Sequence, residues 1–380
     1  MKIVHLADLH LGFREYSKIN KFSANIREFD VLQAFNEAMN KIAEINPDLI
    51  IMAGDLFHKP RPSNFTISNT IFILNKFRQK CNAKIIMIAG NHETVKTTET
   101  GSVLKILEFS VPNIVLVEDD AKEINDDKLN VNILCVPHSA LANIKKLNFT
   151  PDKNYKYNIM TIHGTYENCP EIAGYTDGHN ITKDDLNTQK WDYIAFGHYH
   201  KFSKLAENAY YSGAIERTTT NIWQEQEDKG FIEYNLADKK LIFHKLSNIR
   251  KVHDIKRFNA KGKTSEEINE AIFSAVEKIG NIDDSIIRFS ISNADTKALR
   301  EINYKQIREI RKKALHFKLN IVKDKKDKLI KEEEKKVFKQ KQSIEEVIKI
   351  GLESFEISTG LNKEKFAELA KTYIQEEALK

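Results

Sequence analysis

The chain has 380 residues, of which 41% are hydrophobic and 9% aromatic, so it can bury sizeable cores and is expected to form about two or three domains. No stretch approaches the ~18 apolar residues of a membrane helix, and the sequence does not open on a secretory signal, which predicts a cytoplasmic protein with no membrane partner. Three scattered cysteines argue against a disulfide framework. A net charge of +5 permits nucleic-acid binding without indicating it.

Short buried strands alternate with helical stretches at the start of the chain. Residues 2–7, 48–53 and 84–89 are apolar runs rich in Ile. Between the first two runs, apolar residues recur at the spacing of a helix. This alternation predicts a largely parallel sheet covered by helices. Strand-like segments dominate from 114 to 246, which predicts a second sheet packed on the first. We therefore expect an α/β protein whose residues 1–248 form a four-layer α/β/β/α sandwich.

The pattern restarts after this sandwich. Strands and helices alternate over 249–323, which predicts a small α/β domain, and the Lys/Glu-rich residues 324–342 are interpreted as a charged linker. Residues 343–380 carry two amphipathic stripes, a helix-loop-helix that cannot bury much against itself and is expected to bind a partner. The stripe residues are Ile344, Val347, Ile348, Leu352, Phe355, Phe366, Leu369 and Tyr373.

Residue types that bind metals follow the ends of several predicted strands. Pairs two residues apart, as in Asp-Leu-His and His-Tyr-His, point to one face of an extended backbone. Ligands of an open parallel sheet bind at the carboxyl ends of its strands, so we expect these side chains to converge on one pocket. The set is Asp8, His10, Asp55, Asn91, His163, His198 and His200.

This donor set suffices for two divalent cations. Oxygen and imidazole donors without a thiolate suit Mn(II), Fe or Zn better than Ca(II). Two such cations orient a phosphate and neutralise its developing negative charge, which predicts a two-metal phosphoesterase. A single His or Asp could instead be structural, and a structural metal site is the other alternative, although such sites are rich in thiolates. We assign Asp8, His10 and His200 to the first cation, Asn91, His163 and His198 to the second, and Asp55 to both.

Two further histidines lie beside the ligand motifs. His92 follows Asn91 but is surplus to the ligand count, so it could protonate the departing alkoxide or hydrogen-bond the phosphoryl oxygens. His58 could orient His92. We therefore predict catalytic roles for both.

These motifs resemble the calcineurin-like metallophosphoesterase superfamily. The resemblance rests on Asp8-x-His10, Gly54-Asp55, Gly90-Asn91-His92-Glu93, His163 and Gly197-His198-x-His200, which occur in order. More narrowly, the segments 5–12, 54–58 and 211–217 resemble the Mre-eleven/SbcD family of DNA double-strand-break repair nucleases, in an archaeal form. The resemblance is strong over the first domain and loose over the second. In the tail, only the arrangement of the segments resembles the family.

The resemblance implies an activity and partners that composition and periodicity do not provide. It implies a nuclease with two Mn(II) ions per subunit, acting as a 3′–5′ double-strand exonuclease and a single-strand endonuclease at DNA ends. It also implies a DNA-facing cap formed by 249–323, a homodimer, and binding of 343–380 to an ABC-type coiled-coil ATPase of the Rad-fifty/SbcC kind. A metallophosphatase acting on small phosphoesters or phosphoproteins is the alternative, and a scaffold without catalysis is a third possibility.

Two surface sets complete the predictions. Basic residues beside the strand ends could position DNA phosphates without reading bases, namely Arg14, Lys18, Lys59, Arg61 and Lys96. Apolar residues exceed what one sheet can cover on two helical stretches, which favours a dimer interface, with a fully buried helix as the alternative. The interface residues are Ile67, Ile71, Leu74, Ile106 and Phe109.

Overall fold

The computed structural model describes residues 1–21, 23–94, 101–147, 149–167, 180–219 and 221–322. Its strands are β1 (Lys2–Leu6), β2 (Leu49–Ala53), β3 (Lys84–Ile88), β4 (Ile114–Val117), β5 (Lys122–Asp126), β6 (Val131–Val136), β7 (Tyr157–His163), β8 (Thr165–Tyr166), β9 (Asn180–Ile181), β10 (Tyr193–Gly197), β11 (Ser203–Ala206), β12 (Ala209–Tyr211), β13 (Gly230–Asn235), β14 (Lys240–Lys245), β15 (Val252–Asn259), β16 (Ile286–Ser292) and β17 (His316–Val322). Its α-helices are α1 (Ile26–Ile45), α2 (Asn64–Arg78), α3 (Val103–Ser110), α4 (Lys183–Leu186), α5 (Ser265–Glu277), α6 (Thr296–Arg300) and α7 (Tyr304–Lys313).

Two six-stranded sheets form the first part of the chain. The first has the order β14-β13-β1-β2-β3-β4. Strands β1 to β4 are parallel to one another, β13 pairs antiparallel with β1, and β14 pairs antiparallel with β13. The second has the order β11-β12-β10-β7-β6-β5, with a parallel centre and an antiparallel strand at each edge. The predicted largely parallel arrangement is confirmed, and it brings the carboxyl ends of the central strands in each sheet to one edge.

Three layers of buried apolar side chains hold the sandwich together. Residues of α1, α2 and α3 pack on one face of the first sheet, as Phe35 and Leu104 do. Ile and Val side chains of both sheets, such as Ile51 and Ile159, meet between them. Trp191 and Leu141 cover the outer face of the second sheet. The predicted four-layer α/β/β/α sandwich is therefore confirmed.

Helix α1 shows how the sequence begins and ends an element of this sandwich. The side chain of Asn25 accepts hydrogen bonds from the backbone N–H groups of Arg27 and Glu28, which would otherwise lack partners. Asn46, in a left-handed conformation, ends the helix one residue before Pro47. Its buried side chains, including Val31 and Phe35, face the first sheet.

The strands β15, β16 and β17 form a separate three-stranded sheet in that order. Among the described residues, the chain divides into two compact units. The first contains 1–254, 279–288 and 305–318, and the second contains 255–278, 289–304 and 319–322. Parts of the predicted small domain thus group with the first unit, and the proposed domain boundaries remain a prediction. The linker 324–342 and the helix-loop-helix 343–380 lie outside the described residues. Among the described helices, none is long and apolar enough to cross a bilayer.

Candidate active site

The turns after β1 and β2 run side by side at the edge where the strands end. The backbone N–H of Asp8 donates to the carbonyl of Gly54 at 3.1 Å, and that of His10 donates to the carbonyl of Asp55 at 2.9 Å. From the second sheet, the backbone N–H of His198 donates to both carboxylate oxygens of Asp8, at 2.9 and 3.0 Å. Backbone hydrogen bonds therefore bring residues distant in sequence to one place.

Several residues at these strand ends adopt left-handed backbone conformations. The φ angles are 53° at Asp8, 47° at His10, 51° at Asp55 and 105° at His198. Such conformations cost about 1–3 kcal/mol each for residues with a side chain and cluster at functional sites. These left-handed conformations turn the chain sharply after each strand, so that the side chains face a common space.

Two glycines permit this close approach. A Cβ on Gly54 would overlap the imidazole of His163, and one on Gly197 would overlap the carbonyl oxygen of Ala53. Gly54 also has a φ of 92°, which L-residues rarely adopt. The two glycines therefore allow the strand ends of the two sheets to pack closely.

The first predicted donor group is assembled around His10. Its Nε2 lies 2.9 Å from the Nε2 of His200. Ligand atoms of Asp8, His10 and His200 lie within 4.8 Å of one another, and Asp8 and His10 are almost completely buried.

The second predicted group is centred on the amide oxygen of Asn91. Its Oδ1 lies 3.1 Å from the Nε2 of His163 and 3.0 Å from the Nδ1 of His198. Asp55 stands between the two groups, with its Oδ2 3.4 Å from the Nε2 of His163 and 3.8 Å from the Nε2 of His10. The structure thus brings together every residue predicted as a ligand.

These donors fit divalent cations. Neighbouring ligands of an octahedral ion with bonds of about 2.1 Å lie about 3.0 Å apart. The distances from His10 to His200 and from Asn91 to His163 and His198 are close to this value. Burial raises the pKa of Asp8, partly offset by the charges of His200 and His163. A buried carboxylate costs free energy unless a cation pairs with it, so bound cations would remove that cost.

The tautomer of His163 is defined by its neighbour. Its Nδ1 lies 2.8 Å from the carbonyl oxygen of Ala53, and since a carbonyl only accepts, Nδ1 carries the hydrogen. The other nitrogen is thereby available to a cation, an arrangement common among metal-binding histidines. Burial opposes protonation of the ring, but the charge of Asp55 and a hydrogen bond to it raise the pKa of His163 to about 9.

His58 and His92 lie beside the first donor group. The Nδ1 of His92 lies 2.9 Å from the carbonyl oxygen of His58, so it donates there and leaves Nε2 for substrate. The Nδ1 of His58 lies 3.3 Å from that of His10. Burial, followed by the charges of His92 and Lys59, lowers the pKa of His58 to about 4, so this ring is neutral near neutral pH. The geometry agrees with an orienting role for His58.

Glu93 is a functional residue whose role the sequence did not reveal. It is 3% exposed, and its two carboxylate oxygens accept hydrogen bonds from the backbone N–H groups of Phe57, at 2.7 Å, and Gly90, at 3.0 Å. Burial and the charge of Asp55 raise the pKa of Glu93 to about 8. Its place in the Gly-Asn-His-Glu motif was visible, but its function of tying together the turns after β2 and β3 required the fold.

The basic residues predicted to contact DNA differ in their surroundings. Lys59 and Arg61 are exposed. Arg14 is exposed but pairs with Glu28 at 2.8 Å, and Lys18 donates to the carbonyl oxygen of Lys312 at 2.7 Å. Lys96 lies outside the described residues. The phosphate contacts of these basic residues remain a prediction.

The residues predicted for the dimer interface also differ. Ile106 and Phe109 on α3 are 44% and 84% exposed, whereas Ile67 and Ile71 on α2 are half-buried and Leu74 is fully buried. Leu74 therefore packs inside the subunit. Phe72, another apolar residue of α2, is 67% exposed. All residues predicted to bind the ATPase lie outside the described residues.

Comparison with known proteins defines the class. A family model described as calcineurin-like phosphoesterase matches residues 1–202. The chain belongs to this family and is an enzyme that hydrolyses phosphoesters. The family implies divalent metal ions, in agreement with the donor groups.

Relatives narrow the resemblance. The chain is 31% identical over 209 residues to the DNA double-strand break repair protein Mre11 of Methanococcus maripaludis, which covers 53% of this chain and 52% of the relative. It is 28% identical to the protein of that name from Methanocaldococcus jannaschii, over 74% of each chain. It is also 28% identical to the one from Archaeoglobus fulgidus, over 57% of this chain and 50% of the relative. The similarity to archaeal relatives predicted from the motifs is confirmed, although the first and third matches span only about half of the relatives' length.

Proposed function

We propose that this chain is a Mn(II)-dependent DNA nuclease of the Mre11 kind, a 3′–5′ double-strand exonuclease and single-strand endonuclease that processes ends during double-strand break repair. One observation carries the proposal. Two donor groups of oxygen and imidazole ligands, joined by the carboxylate of Asp55, converge at the strand ends of a phosphoesterase fold. The names of the relatives favour DNA as the substrate.

The proposed ligand assignment follows the distances. Asp8, His10 and His200 would hold one cation, and Asn91, His163 and His198 the other. Asp55 is within 4 Å of both groups and would hold both cations. When bound, two such cations supply Lewis acidity that activates the phosphorus for attack and neutralises charge on the phosphoryl oxygens. Nitrogen and oxygen donors without a thiolate suit Mn(II).

The remaining histidines would manage protons and orientation. Since the carbonyl of His58 accepts the Nδ1 hydrogen of His92, Nε2 of His92 is the atom left for substrate. With a second proton bound at Nε2, the ring would give that proton to the leaving 3′ or 5′ oxygen and return to its neutral form with hydrogen on Nδ1. His58 would orient His92, because its carbonyl oxygen accepts the Nδ1 hydrogen of that ring, while its own neutral imidazole lies next to His10. Lys59, exposed next to His58, would bind a neighbouring phosphate of the strand.

The assembly is proposed on the same basis. The exposed side chains Phe72, Ile106 and Phe109 would form a homodimer interface on α2 and α3. The tail residues 343–380 would bind an ABC-type coiled-coil ATPase, and residues 249–323 would form a DNA-facing cap. A cytoplasmic location follows from the proposed role in DNA repair.

Mutation of His92 tests the proposed nuclease. We expect Mn(II)-stimulated cleavage of linear duplex and circular single-stranded DNA by the full chain. His92→Gln should reduce cleavage by about 10²–10⁴-fold while Mn(II) binding is retained, because His92 is a proton donor and not a ligand. Asp55→Asn should lose both. Gel assays with end-labelled DNA give the rates, and calorimetry gives the metal binding.

The control and the competing substrate class belong to the same experiment. His244→Gln removes a histidine of β14 that pairs with Glu233 of the neighbouring strand β13. This variant should cleave at the wild-type rate. Small phosphoesters and phosphopeptides are assayed in parallel. Faster hydrolysis of those substrates than of DNA would favour a metallophosphatase, and full cleavage by His92→Gln would remove His92 from the mechanism.

A further inference from the structure

A buried ion pair lies next to His200, on the side of the ring away from His10. Lys229 is 2% exposed and Glu225 is 7% exposed, and the Nζ of Lys229 lies 2.8 Å from the Oε2 of Glu225. Burying two charges costs free energy that their mutual attraction often fails to offset. The pair therefore calls for an explanation beyond stability, and neither residue belongs to the motifs or to the ligand set.

Both members of the pair contact His200. The Oε1 of Glu225 lies 3.6 Å from the Nδ1 of His200, within ion-pair distance. The ammonium group of Lys229 donates to the backbone carbonyl of His200 at 2.8 Å. On the other side of the same ring, Nε2 lies 2.9 Å from the Nε2 of His10. The ion pair thus holds both the backbone and the ring of a proposed ligand.

Further contacts fix the carboxylate in position. The backbone N–H of Thr219 donates to the Oε1 of Glu225 at 3.0 Å, and the hydroxyl of Thr218 lies 3.4 Å from the Nδ1 of His200. A carboxylate facing Nδ1 favours the tautomer with hydrogen on that nitrogen, which leaves the lone pair of Nε2 for a cation. Carboxylate–histidine pairs of this kind raise the basicity of a metal ligand and fix its orientation.

We propose that Glu225 and Lys229 are positioning residues that orient His200 and set its tautomer for the cation held with Asp8 and His10. This inference rests on the proposed cation-binding role of His200. It extends the site by two residues that lie outside every motif recognised in the sequence. It also predicts an asymmetry, because the contacts of the pair converge on His200, which is assigned to one of the two cations.

The asymmetry provides the test. Mn(II) is titrated into the metal-free full chain by calorimetry, and the coupled signal of the filled pair is followed by electron paramagnetic resonance. The wild type should bind two Mn(II) per chain. Glu225→Gln should bind one of the two about 10–100-fold more weakly and the other with unchanged affinity, and the coupled signal should appear only at higher Mn(II). Lys229→Met should change binding in the same direction.

The chain offers a matched control two residues away. Glu227 pairs with Lys201 at 3.0 Å and is partly exposed, so Glu227→Gln makes the same chemical change in the same segment without touching His200. It should bind both cations as the wild type does. Glu225→Ala serves as a more severe variant, and Glu225→Gln, which keeps the size of the side chain, remains usable if the alanine variant does not fold.

The outcomes separate this inference from the proposed function. Unchanged binding of both cations by Glu225→Gln and Glu225→Ala would overturn the positioning role alone. Equal weakening of both cations in parallel with a lower melting temperature would overturn it as well, because that is the signature of a merely structural pair. A wild type that binds two Mn(II) but leaves DNA intact would overturn the nuclease and not this inference, and a wild type that binds no cation pair would overturn both.

Discussion

His163 carries a proton that competes with a cation for the same nitrogen. Burial works against protonation, but Asp55 outweighs it and raises the pKa of the ring to about 9 in the metal-free protein. Below that pH the ring is protonated on both nitrogens, so Nε2 must release its proton before it binds a metal. Affinity for Mn(II) should therefore increase as the pH rises toward 9, by up to about tenfold per pH unit.

Proton release provides the measurement. Calorimetric titrations of Mn(II) in buffers of different ionisation enthalpy, at about pH 6.5 and about pH 8, give the number of protons displaced. His163→Asn keeps a neutral donor and should release fewer protons than the wild type. Equal affinity and equal proton release at both pH values would contradict the role assigned to His163.

The sequence predicted these ligands because each lies at or just beyond the end of a buried strand, as His163 and Asp55 do. Adjacent glycines and the two-residue spacing of Asp8 and His10 strengthened the prediction. Glu225 and Lys229 carried no such signal, because a Glu and a Lys four residues apart are typical of a solvated surface. They lie in the segment between β12 and β13, and their burial is a property of the tertiary fold.

At the level of elements, buried strands were predicted well, and the edge strands β5 and β11 were missed. The central strands β2 and β3 are almost entirely apolar, and the predicted segments 48–53 and 84–89 agree with them to within about one residue. Strand β5, with the sequence Lys-Glu-Ile-Asn-Asp, is mostly exposed at a sheet edge, and β11 is likewise an edge strand. An edge strand has a neighbouring strand on one side only and faces solvent on the other. It can therefore form without a run of apolar residues.

Strand β1 contains a buried histidine that makes the sandwich sensitive to acid. His5 is fully buried, with its Nδ1 3.0 Å from the hydroxyl of Tyr193 on β10 of the other sheet. Burial, opposed by a hydrogen bond with the backbone of Phe196, lowers the pKa of His5 from 6.5 to about 3. Between these values the unfolded chain binds a proton that the folded chain does not. The folded state therefore loses about 1.4 kcal/mol per pH unit as the pH falls through this range.

Substitution of His5 isolates this contribution. His5→Gln keeps a hydrogen-bonding side chain but cannot take up a proton in the unfolded state. Between about pH 6.5 and pH 5, the wild type should lose about 2 kcal/mol more unfolding free energy than the variant. Urea unfolding in the presence of a chelator gives these values. His244→Gln, on an edge strand, is the control, and identical pH slopes for wild type and His5→Gln would refute the assignment.

At the level of the whole molecule, α2 and α3 present apolar side chains that the subunit does not cover. The two helices are adjacent, since the amide of Asn75 donates to the carbonyl of Ser110 at 3.4 Å. Phe109→Glu should weaken the proposed homodimer by about tenfold or more, because exposed aromatic side chains dominate many interfaces. The stability of the single subunit should change by less than about 0.5 kcal/mol, since Phe109 is 84% exposed. Sedimentation velocity over a dilution series gives the dimer affinity.

The surface of β14 supplies the comparison for this interface. Ile242 is 40% exposed on β14, which is the edge strand of the first sheet opposite β4. Ile242→Glu should leave the sedimentation profile unchanged. A wild-type chain that stays monomeric at every concentration would contradict the dimer, and equal dimerisation of Phe109→Glu would exclude α3 from it.

The donors of the site come from both halves of the sandwich. Asp8, Asp55 and Asn91 follow strands of the first sheet, whereas His163 and His198 belong to the second. A nascent chain in which only the first sheet had formed would hold both carboxylates without the imidazoles that complete the cation pair. On the proposed ligand assignment, the cation pair and the hydrolysis it supports therefore require the finished fold, and a half-folded copy would leave phosphoesters intact.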